Sequence, residues 1–272
     1  MFEKQSKLKQ IEANGSIREV IFLLLFINLM EGEIIMYSIT LDAGHQSSPN
    51  ADTGCSGFGL REEDIVLDIC KRAKQLIELN GIKVIMTREG AKVNGDGSSL
   101  NASLNTRCQI ANSNKTDLFL SCHCDAFNSQ AFGTTCHVFG LNGKAEKFAK
   151  ILNPMMGQLF YNRGIKVSNF AVIRDTNMPA ILLETAFLDN KEDNAKLANA
   201  NIRQQIAVNI AKSVCTYFGV TYKEGVVNKV SDITTKDDKD VYLSVRVLES
   251  KADEVIKQII KFGYACKRLE LA

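Results

Sequence analysis

Short runs of β-branched and other apolar residues alternate with amphipathic helical segments between residues 36 and 220 of this 272-residue chain. The first apolar run covers residues 34–43, a helix is predicted over 62–81, and a second strand follows at 83–87. Strands that alternate with helices are typical of parallel sheets, because the chain must cross over the sheet between parallel neighbours. We therefore predict an α/β domain with a mostly parallel, twisted sheet and helices on both faces.

The same alternation continues to the end of this region. Gly219 ends the last predicted helix, and residues 88–103, which are rich in Gly, Asn and Ser, are predicted to form a long exposed loop. Ser103 or Asn101 is the expected N-cap of the helix that follows this loop. The further predicted elements are helices over 103–114, 143–161 and 191–218, and strands over 117–126, 133–140, 169–175 and 180–187.

The charge and composition of the chain give no indication of a nucleic-acid partner. With 33 basic and 31 acidic residues the chain is nearly neutral, so the charge balance does not point to nucleic acid. Its 45% hydrophobic and 24% charged residues are those of an ordinary globular protein. The eight cysteines include no CxxC pair, which favours reduced thiols and synthesis in a reducing compartment.

The segment before the predicted domain differs from it in composition. Residues 20–30 form an apolar run that is too short to span a bilayer and is similar to the apolar part of a signal peptide. No small-residue cleavage site follows this run, and Met36 offers an alternative start. We expect residues 1–35 to be a translated leader or a signal-like extension, and we expect no stable membrane association.

On the C-terminal side, residues 221–239 are polar and are predicted to be a linker. Residues 240–272 have a strand, helix, strand pattern, and a segment of this length is too short to form a core of its own. We expect this β-α-β module to dock on the main domain, to pair with a second copy in a homodimer, or to fold on a target.

Three predicted strands end in polar side chains that apolar packing does not explain. His45 closes the segment SITLDAGH, His123 lies in FLSCHCDA, and Glu184 interrupts the apolar run ILLETAF. A carboxylate in such a run is costly unless it is paired, bound to a metal or protonated. Because side chains alternate along a strand, Cys122 and Cys124 are predicted to point away from His123 as core thiols.

The convergence of these strand ends points to a metal site. A catalytic zinc site needs about three protein ligands and one open position for water. The missing ligand is expected near the first strand, where Glu62, Glu63 and Asp64 begin the helix that follows His45. Acidic residues are also common at a helix N-terminus because of the helix dipole, so at least two of these three have that simpler explanation.

Four segments resemble the zinc-dependent N-acetylmuramoyl-L-alanine amidases of the type 3 family, which occur as bacterial autolysins and phage endolysins. The resemblance covers residues 38–219. LDAGH and LFLSCHCDAFN are similar to the two segments that carry the family's zinc histidines. GLREEDIVLDI is similar to the segment that carries its glutamate ligand. NFAVIRDTNMPAILLETAFLDNKEDNAKL is similar to the segment that carries its catalytic glutamate.

The resemblance implies that residues 36–220 form a catalytic domain that hydrolyses the amide bond between N-acetylmuramic acid and L-alanine in peptidoglycan and so lyses the cell wall. It implies one Zn²⁺ ion held by His45, Glu62 and His123. A zinc-bound water would attack the amide carbonyl, with Glu184 as general base and then general acid.

Other positions are assigned on weaker signals. Arg174 is a candidate for binding a carboxylate of the stem peptide, and Asn169 is a weaker one. His137, in the middle of a strand, is expected to have a structural or surface role rather than a role in the site. Where the family usually continues its first histidine with glycines, this chain has Gln46, Ser47 and Ser48. The C-terminal module resembles half of a septal-peptidoglycan-binding domain, which implies wall binding or dimerisation.

Two alternative functions remain open from the sequence. One is a zinc peptidase that cuts another peptidoglycan bond, and the other is a non-catalytic wall-binding protein, against which the intact Glu184 argues. We expect the protein to act on the cell wall after secretion or after release at lysis, and its thiols and lack of a cleavage site favour release. The sequence leaves open a phage or a host origin.

Overall fold

The computed structural model describes residues 37–47, 52–95 and 97–224. The predictions for residues 1–35 and 240–272, and most of the predicted linker, lie outside these residues. The described strands are β1 (Ser38–Ala43), β2 (Ser56–Gly57), β3 (Leu60–Arg61), β4 (Lys83–Met86), β5 (Leu118–Asp125), β6 (Thr134–Val138), β7 (Asn162–Val167) and β8 (Ala180–Phe187). The described helices are α1 (Glu62–Leu79), α2 (Leu100–Asn114), α3 (Lys144–Met156), α4 (Ala171–Arg174), α5 (Lys191–Ala198) and α6 (Ala200–Phe218).

Six of these strands form one sheet in the order β4-β1-β5-β8-β6-β7. Strands β4, β1, β5 and β8 run parallel to one another, whereas β6 is antiparallel to β8 and parallel to β7. The mostly parallel sheet is therefore confirmed. The carboxyl ends of β1, β5 and β8 lie at one edge, which is where α/β sheets present functional groups.

Helices pack on both faces of the sheet, as predicted. On one face, α6 packs against α1 and α3, and the main core forms between these helices and the sheet. On the other face, Ala111 of α2 and Val172 and Ile173 of α4 form a second apolar cluster with Phe119 and Leu182 of the sheet. Cys122 and Cys124 belong to the main core, so they lie on the opposite face from Phe119. Among the described helices, none has both the length and the apolar content required to cross a membrane.

The segment over 169–175 was expected to be a strand and is instead the short helix α4. The amides of Ile173 and Arg174 donate to the carbonyl of Phe170, which closes a helical turn. Val172 and Ile173 are β-branched, and this composition favours a strand in isolation. Their burial in the second apolar cluster decides the conformation.

Strand β7 was not predicted, because as an exposed edge strand it has little apolar alternation. The predicted closing helix is divided at Asn199, which has an extended backbone and whose side chain caps α6. The helix expected to reach residue 161 ends at Met156, shortly after Pro154. Helix α2 begins earlier than expected, with Ser99 as its N-cap in place of Ser103 or Asn101.

Candidate metal centre

His45, Glu62 and His123 lie together at the carboxyl edge of the sheet. His45 follows β1, His123 lies in β5, and Glu62 is the first residue of α1, so three separate elements supply the group. Glu62 Oε1 lies 3.1 Å from His45 Nε2 and 3.0 Å from His123 Nδ1, and the two ring nitrogens are 3.0 Å apart. One potential ligand atom from each residue lies within 4.8 Å of the others, a set that could hold a metal ion.

The close approach of the two histidines depends on glycine. A Cβ atom at Gly44 would lie 2.4 to 2.7 Å from three ring atoms of His123, so no larger residue fits without moving that ring. A Cβ atom at Gly54 would lie 2.4 Å from Glu62 Oε2 and 2.6 Å from a ring carbon of His45. His45 itself has a φ of 59°, a left-handed conformation that is uncommon for a residue other than glycine.

Backbone amides fix the carboxylate of Glu62. Its Oε2 accepts from the amide of Cys55 and its Oε1 from the amide of Cys124, each at 2.9 Å. Burial by itself would raise the pKa of Glu62, but hydrogen bonds and charge from His123 and His45 outweigh burial and hold this pKa well below its usual range. Glu62 is therefore ionised, as a metal ligand must be.

A further carboxylate lies behind the first histidine. Asp52 Oδ2 is 2.7 Å from His45 Nδ1, the ring nitrogen that faces away from Glu62. The negative charge of a carboxylate in this position favours the tautomer protonated at Nδ1, whose other nitrogen is free to bind a metal. Asp52 was not identified from the sequence, because an acidic residue in a polar loop gives no signal.

Two buried arginines hold the turn that carries His45. Arg107 donates to the carbonyls of Ala43 and His45 at 2.7 and 2.6 Å. Arg88 donates to the carbonyls of Ala43 and Gly44, each at 2.8 Å. Both side chains are nearly inaccessible to solvent. The carbonyls of three consecutive residues are thus bound by fixed cationic groups, which stabilises the backbone of the turn.

Glu184 lies on β8 directly beside His123 of β5, in the register of the parallel pair. Thr134 Oγ1 donates to the main-chain carbonyl of Glu184, whereas the side-chain Oε2 is buried and has no hydrogen-bond partner. Burial, reinforced by the negative charges of Glu62 and Asp125, raises the pKa of Glu184 well above its usual value. This carboxyl group is therefore free to exchange a proton beside the three clustered side chains.

The other acids at the start of α1, Glu63 and Asp64, are not part of the group that could hold a metal ion. Glu63 is buried and pairs with Arg61, and it accepts a hydrogen bond from Ser47. Asp64 is exposed. Gln46 is buried; it donates to the carbonyl of Gly97 and accepts from the amide of Val93, so one residue of the unusual stretch after His45 binds the backbone at two neighbouring positions.

Arg174 and Asn169 contact each other at the exposed end of α4. Arg174 makes two hydrogen bonds to the carboxylate of Asp175 and one to Asn169 Oδ1. His137 is 9% exposed and packs edge-on against the ring of Phe170. Its Nδ1 shares a 2.7 Å hydrogen bond with the hydroxyl of Ser168. These contacts fit the structural role expected for His137.

The seven cysteines in the described ranges are free thiols. Cys55 and Cys124 both lie next to Glu62, where burial, followed by the charge of that carboxylate, raises the pKa of each thiol. Neither thiol belongs to the group of side chains that could hold a metal ion among the described residues, which consists of His45, Glu62 and His123.

Residues 39–216 match the protein family described as N-acetylmuramoyl-L-alanine amidase. The N-acetylmuramoyl-L-alanine amidase CwlM of Bacillus licheniformis is 30% identical over 199 residues, which cover 72% of this chain and 74% of that relative. An uncharacterized cell wall amidase of Bacillus anthracis is 29% identical over 204 residues, which cover 70% of this chain but only 36% of that relative. The matched region thus spans about three quarters of the length of the Bacillus licheniformis relative and about a third of the length of the Bacillus anthracis relative.

The solved structures agree with the sequence comparison. The catalytic domain of CwlV, an N-acetylmuramoyl-L-alanine amidase from Bacillus (Paenibacillus) polymyxa var. colistinus, superposes with a TM-score of 0.61 at 27% identity. The superposition covers 68% of this chain and all of that domain. The similarity therefore extends over a whole catalytic domain.

Proposed function

This chain belongs to the N-acetylmuramoyl-L-alanine amidase family, and we propose that it hydrolyses the amide bond between N-acetylmuramic acid and L-alanine in peptidoglycan. The observation that carries the proposal is the placement of Glu184, in strand register with His123, beside a cluster of two imidazoles and one carboxylate. A proton-exchanging carboxyl group next to a group of metal-binding side chains is an arrangement suited to metal-assisted hydrolysis of an amide.

We infer that the metal is a single Zn²⁺ ion held by His45, Glu62 and His123. Two imidazole nitrogens and one carboxylate oxygen form a donor set typical of catalytic zinc, which leaves a fourth position for water. When bound, zinc lowers the pKa of that water and polarises the amide carbonyl. The carboxylate of Asp52 lies against the other ring nitrogen of His45, the amides of Cys55 and Cys124 hold the carboxylate of Glu62 in place, and the two histidines keep it ionised.

Glu184 is proposed as the group that takes a proton from the attacking water and passes it to the departing amine. The unpartnered Oε2 atom supports this role, because no other group in the described residues competes for its proton. The charge of a cation at the three ligands would oppose the effects that raise the pKa of Glu184, so the carboxylate form becomes available as a base.

Arg174 and Asn169 stay proposals as binding residues for the stem peptide. The guanidinium of Arg174 is exposed and paired with Asp175, so a substrate carboxylate would have to replace that partner. Binding by this pair would therefore contribute little, as for other exposed ion pairs.

We propose that residues 36–220 are the catalytic domain and that peptidoglycan is its partner, with the cell wall as its place of action after secretion or after release at lysis. The role of residues 1–35 as a leader or signal-like extension, and of residues 240–272 as a wall-binding or dimerising module, remain proposals. Light scattering of the full chain and of a chain ending at residue 224 tests the dimer.

The experiment that tests the activity is product analysis on purified wall fragments. We expect new amino termini of L-alanine together with free N-acetylmuramic acid ends, and loss of this activity when a chelator removes the metal. New amino termini of D-amino acids would instead support a zinc peptidase. Wall binding without any new termini would support a non-catalytic wall-binding protein.

A further inference from the structure

We propose that Lys166 binds a carboxylate of the peptide stem and so makes the enzyme prefer stems with a free acid next to L-alanine. This inference rests on the proposed function and names a specificity residue for the same site. It starts from the Glu184 face, which we define as the face of β8, β6 and β7 that carries Glu184, Thr135, His137 and Lys166.

Strand register places these residues on one face. Glu184 is paired with Thr135 on β6, and His137, two positions further along β6, is paired with Lys166 on β7. Residues two apart on a strand share a face, so the four side chains follow one another across the sheet from the metal centre to its edge. Their neighbours Cys136 and Leu183 pack in the main core on the opposite face.

The middle of the Glu184 face forms a buried, rigid floor. Thr135 and His137 are 1% and 9% exposed, and His137 is fixed by its hydrogen bond to Ser168 and by the ring of Phe170. Burial, followed by the positive charge of Lys166, lowers the pKa of His137 to about 4, so His137 is neutral at neutral pH. The positive charge on this floor is therefore that of Lys166.

Lys166 is an exposed cation beside an acidic centre. Strand register puts it on the same face as Glu184, on the strand next to β6, and within the described ranges it has no ion-pair partner. Arg163, which lies near Asp125, is engaged with the carbonyl of Phe132 and the ring of Phe187. Lys166 is thus the cation in this area that is free to bind an anion.

An anionic substrate needs such a cation. Peptide stems carry carboxylates, and the negative charge of Asp125, at the end of β5, repels them. A lysine two strands away from Glu184, on the same face, offsets that repulsion and gives the peptide a direction across the sheet. Arg174 is less suited to this role because Asp175 already neutralises its guanidinium.

The test compares two peptides that differ in one group: an N-acetylmuramoyl-L-alanyl peptide whose next residue has a free carboxylate, and the same peptide with that carboxylate amidated. The metal-loaded full chain, Lys166→Met, Lys166→Arg and Lys83→Met are assayed for kcat and KM on both. Lys83 is the matched control, because it is an exposed strand lysine on β4, at the opposite edge of the sheet.

We expect Lys166→Met to raise KM for the carboxylate peptide by about fivefold, as for an exposed charge pair, and to leave KM for the amidated peptide unchanged. Lys166→Arg should restore the preference, Lys83→Met should have no effect, and high salt should weaken the preference of the unaltered chain. An equal change for both peptides, or none, overturns the proposal.

Binding to a chain that does not turn over separates this proposal from the function itself. In a Glu184→Gln background, calorimetry with the carboxylate peptide should show weaker binding when Lys166 is replaced by Met. If the unaltered chain hydrolyses neither peptide, the proposed function fails. If the carboxylate peptide binds equally well with and without Lys166, or does not bind at all, the role of Lys166 fails.

Discussion

Arg107 donates a 2.6 Å hydrogen bond from Nη2 to the main-chain carbonyl of His45, a residue 62 positions away in the sequence. Its Nη1 also lies 2.5 Å from the buried carboxylate of Asp42. One guanidinium therefore links a carboxylate in the sheet to the backbone of a proposed metal ligand. Because His45 has a positive φ, we infer that this link helps to hold the ligand in a conformation it would otherwise disfavour.

Replacing Arg107 by Lys keeps the charge but cannot reproduce the fork of donors. We expect the free energy of unfolding to fall by about 2 kcal/mol and zinc affinity to fall about tenfold or more, as when outer groups of a metal site are altered. Chelator competition measures the affinity. Arg203→Lys is the control, because Arg203 also binds a carboxylate and two carbonyls but lies in α6. Equal zinc affinity in both variants would contradict a positioning role for Arg107.

Gly44→Ala should disturb the metal centre while the sheet remains intact. The new methyl group would overlap the ring of His123, so we expect weaker zinc binding together with a destabilisation of about 1 to 3 kcal/mol, typical of overpacking. Gly140→Ala is the matched control, since a Cβ atom there meets no atom within 4 Å. Unchanged zinc affinity in Gly44→Ala would show that the ring can move without loss of the site.

Glu184→Gln should remove catalysis and leave the metal bound. An amide cannot accept the proton of water, so we expect kcat to fall by about 10²- to 10⁴-fold, the usual contribution of a general base. Zinc content measured by atomic absorption should stay at one ion per chain. Glu192→Gln, on the exposed first turn of α5, serves as the control for the loss of one carboxylate. Full lytic activity of Glu184→Gln would refute the proposed mechanism.

Zinc should stabilise the folded chain. A ligand that binds only the folded state, at a free concentration 100 times its Kd, adds about 2.7 kcal/mol to the free energy of unfolding. Thermal unfolding with a chelator and then with zinc measures this gain as a rise in Tm. His123→Ala removes one of the proposed ligands and should abolish most of the rise, and an undiminished rise would place the metal elsewhere.

Acid should destabilise the metal-free chain partly through Asp42. Burial alone would raise the pKa of this carboxyl, but the charge of Arg107 and the hydrogen bonds from Ser121 and Thr87 lower it below its usual value. Its stabilising contribution is present above the unfolded-state pKa of about 3.9 and is lost as the pH falls through the lower folded-state pKa.

The measurement is the free energy of unfolding between pH 6 and pH 2, with a chelator present, for the unaltered chain and for Asp42→Asn. The variant should be less stable at pH 6, because Arg107 loses its buried partner, and the difference between the two chains should narrow as the pH falls. A difference that stays constant over this range would show that Asp42 is not ionised in the folded chain.

Several features of the site followed from the sequence because they depend on local pattern. The alternation of strands and helices predicted the sheet, and strand periodicity placed Cys122 and Cys124 on the face opposite His123. The motifs indicated His45, Glu62, His123 and Glu184 before any contact was known. The predicted boundaries of the helices and strands were less accurate. The division of the closing helix at Asn199 depends on a single capping side chain. The edge strand β7 was missed because it has little apolar alternation.

Other features depend on the tertiary structure, because they come from groups that are distant in the sequence. Arg107 and Asp42 are 65 positions apart, and neither has a local pattern that predicts their pairing. The need for glycine at position 44 arises only because the ring of His123 occupies the adjacent space. Sequence by itself determined the alternation of elements and the types of residue at the strand ends. The packing of the chain decided which side chains meet and which charges remain unpaired, because distances and burial are set only once the elements have assembled.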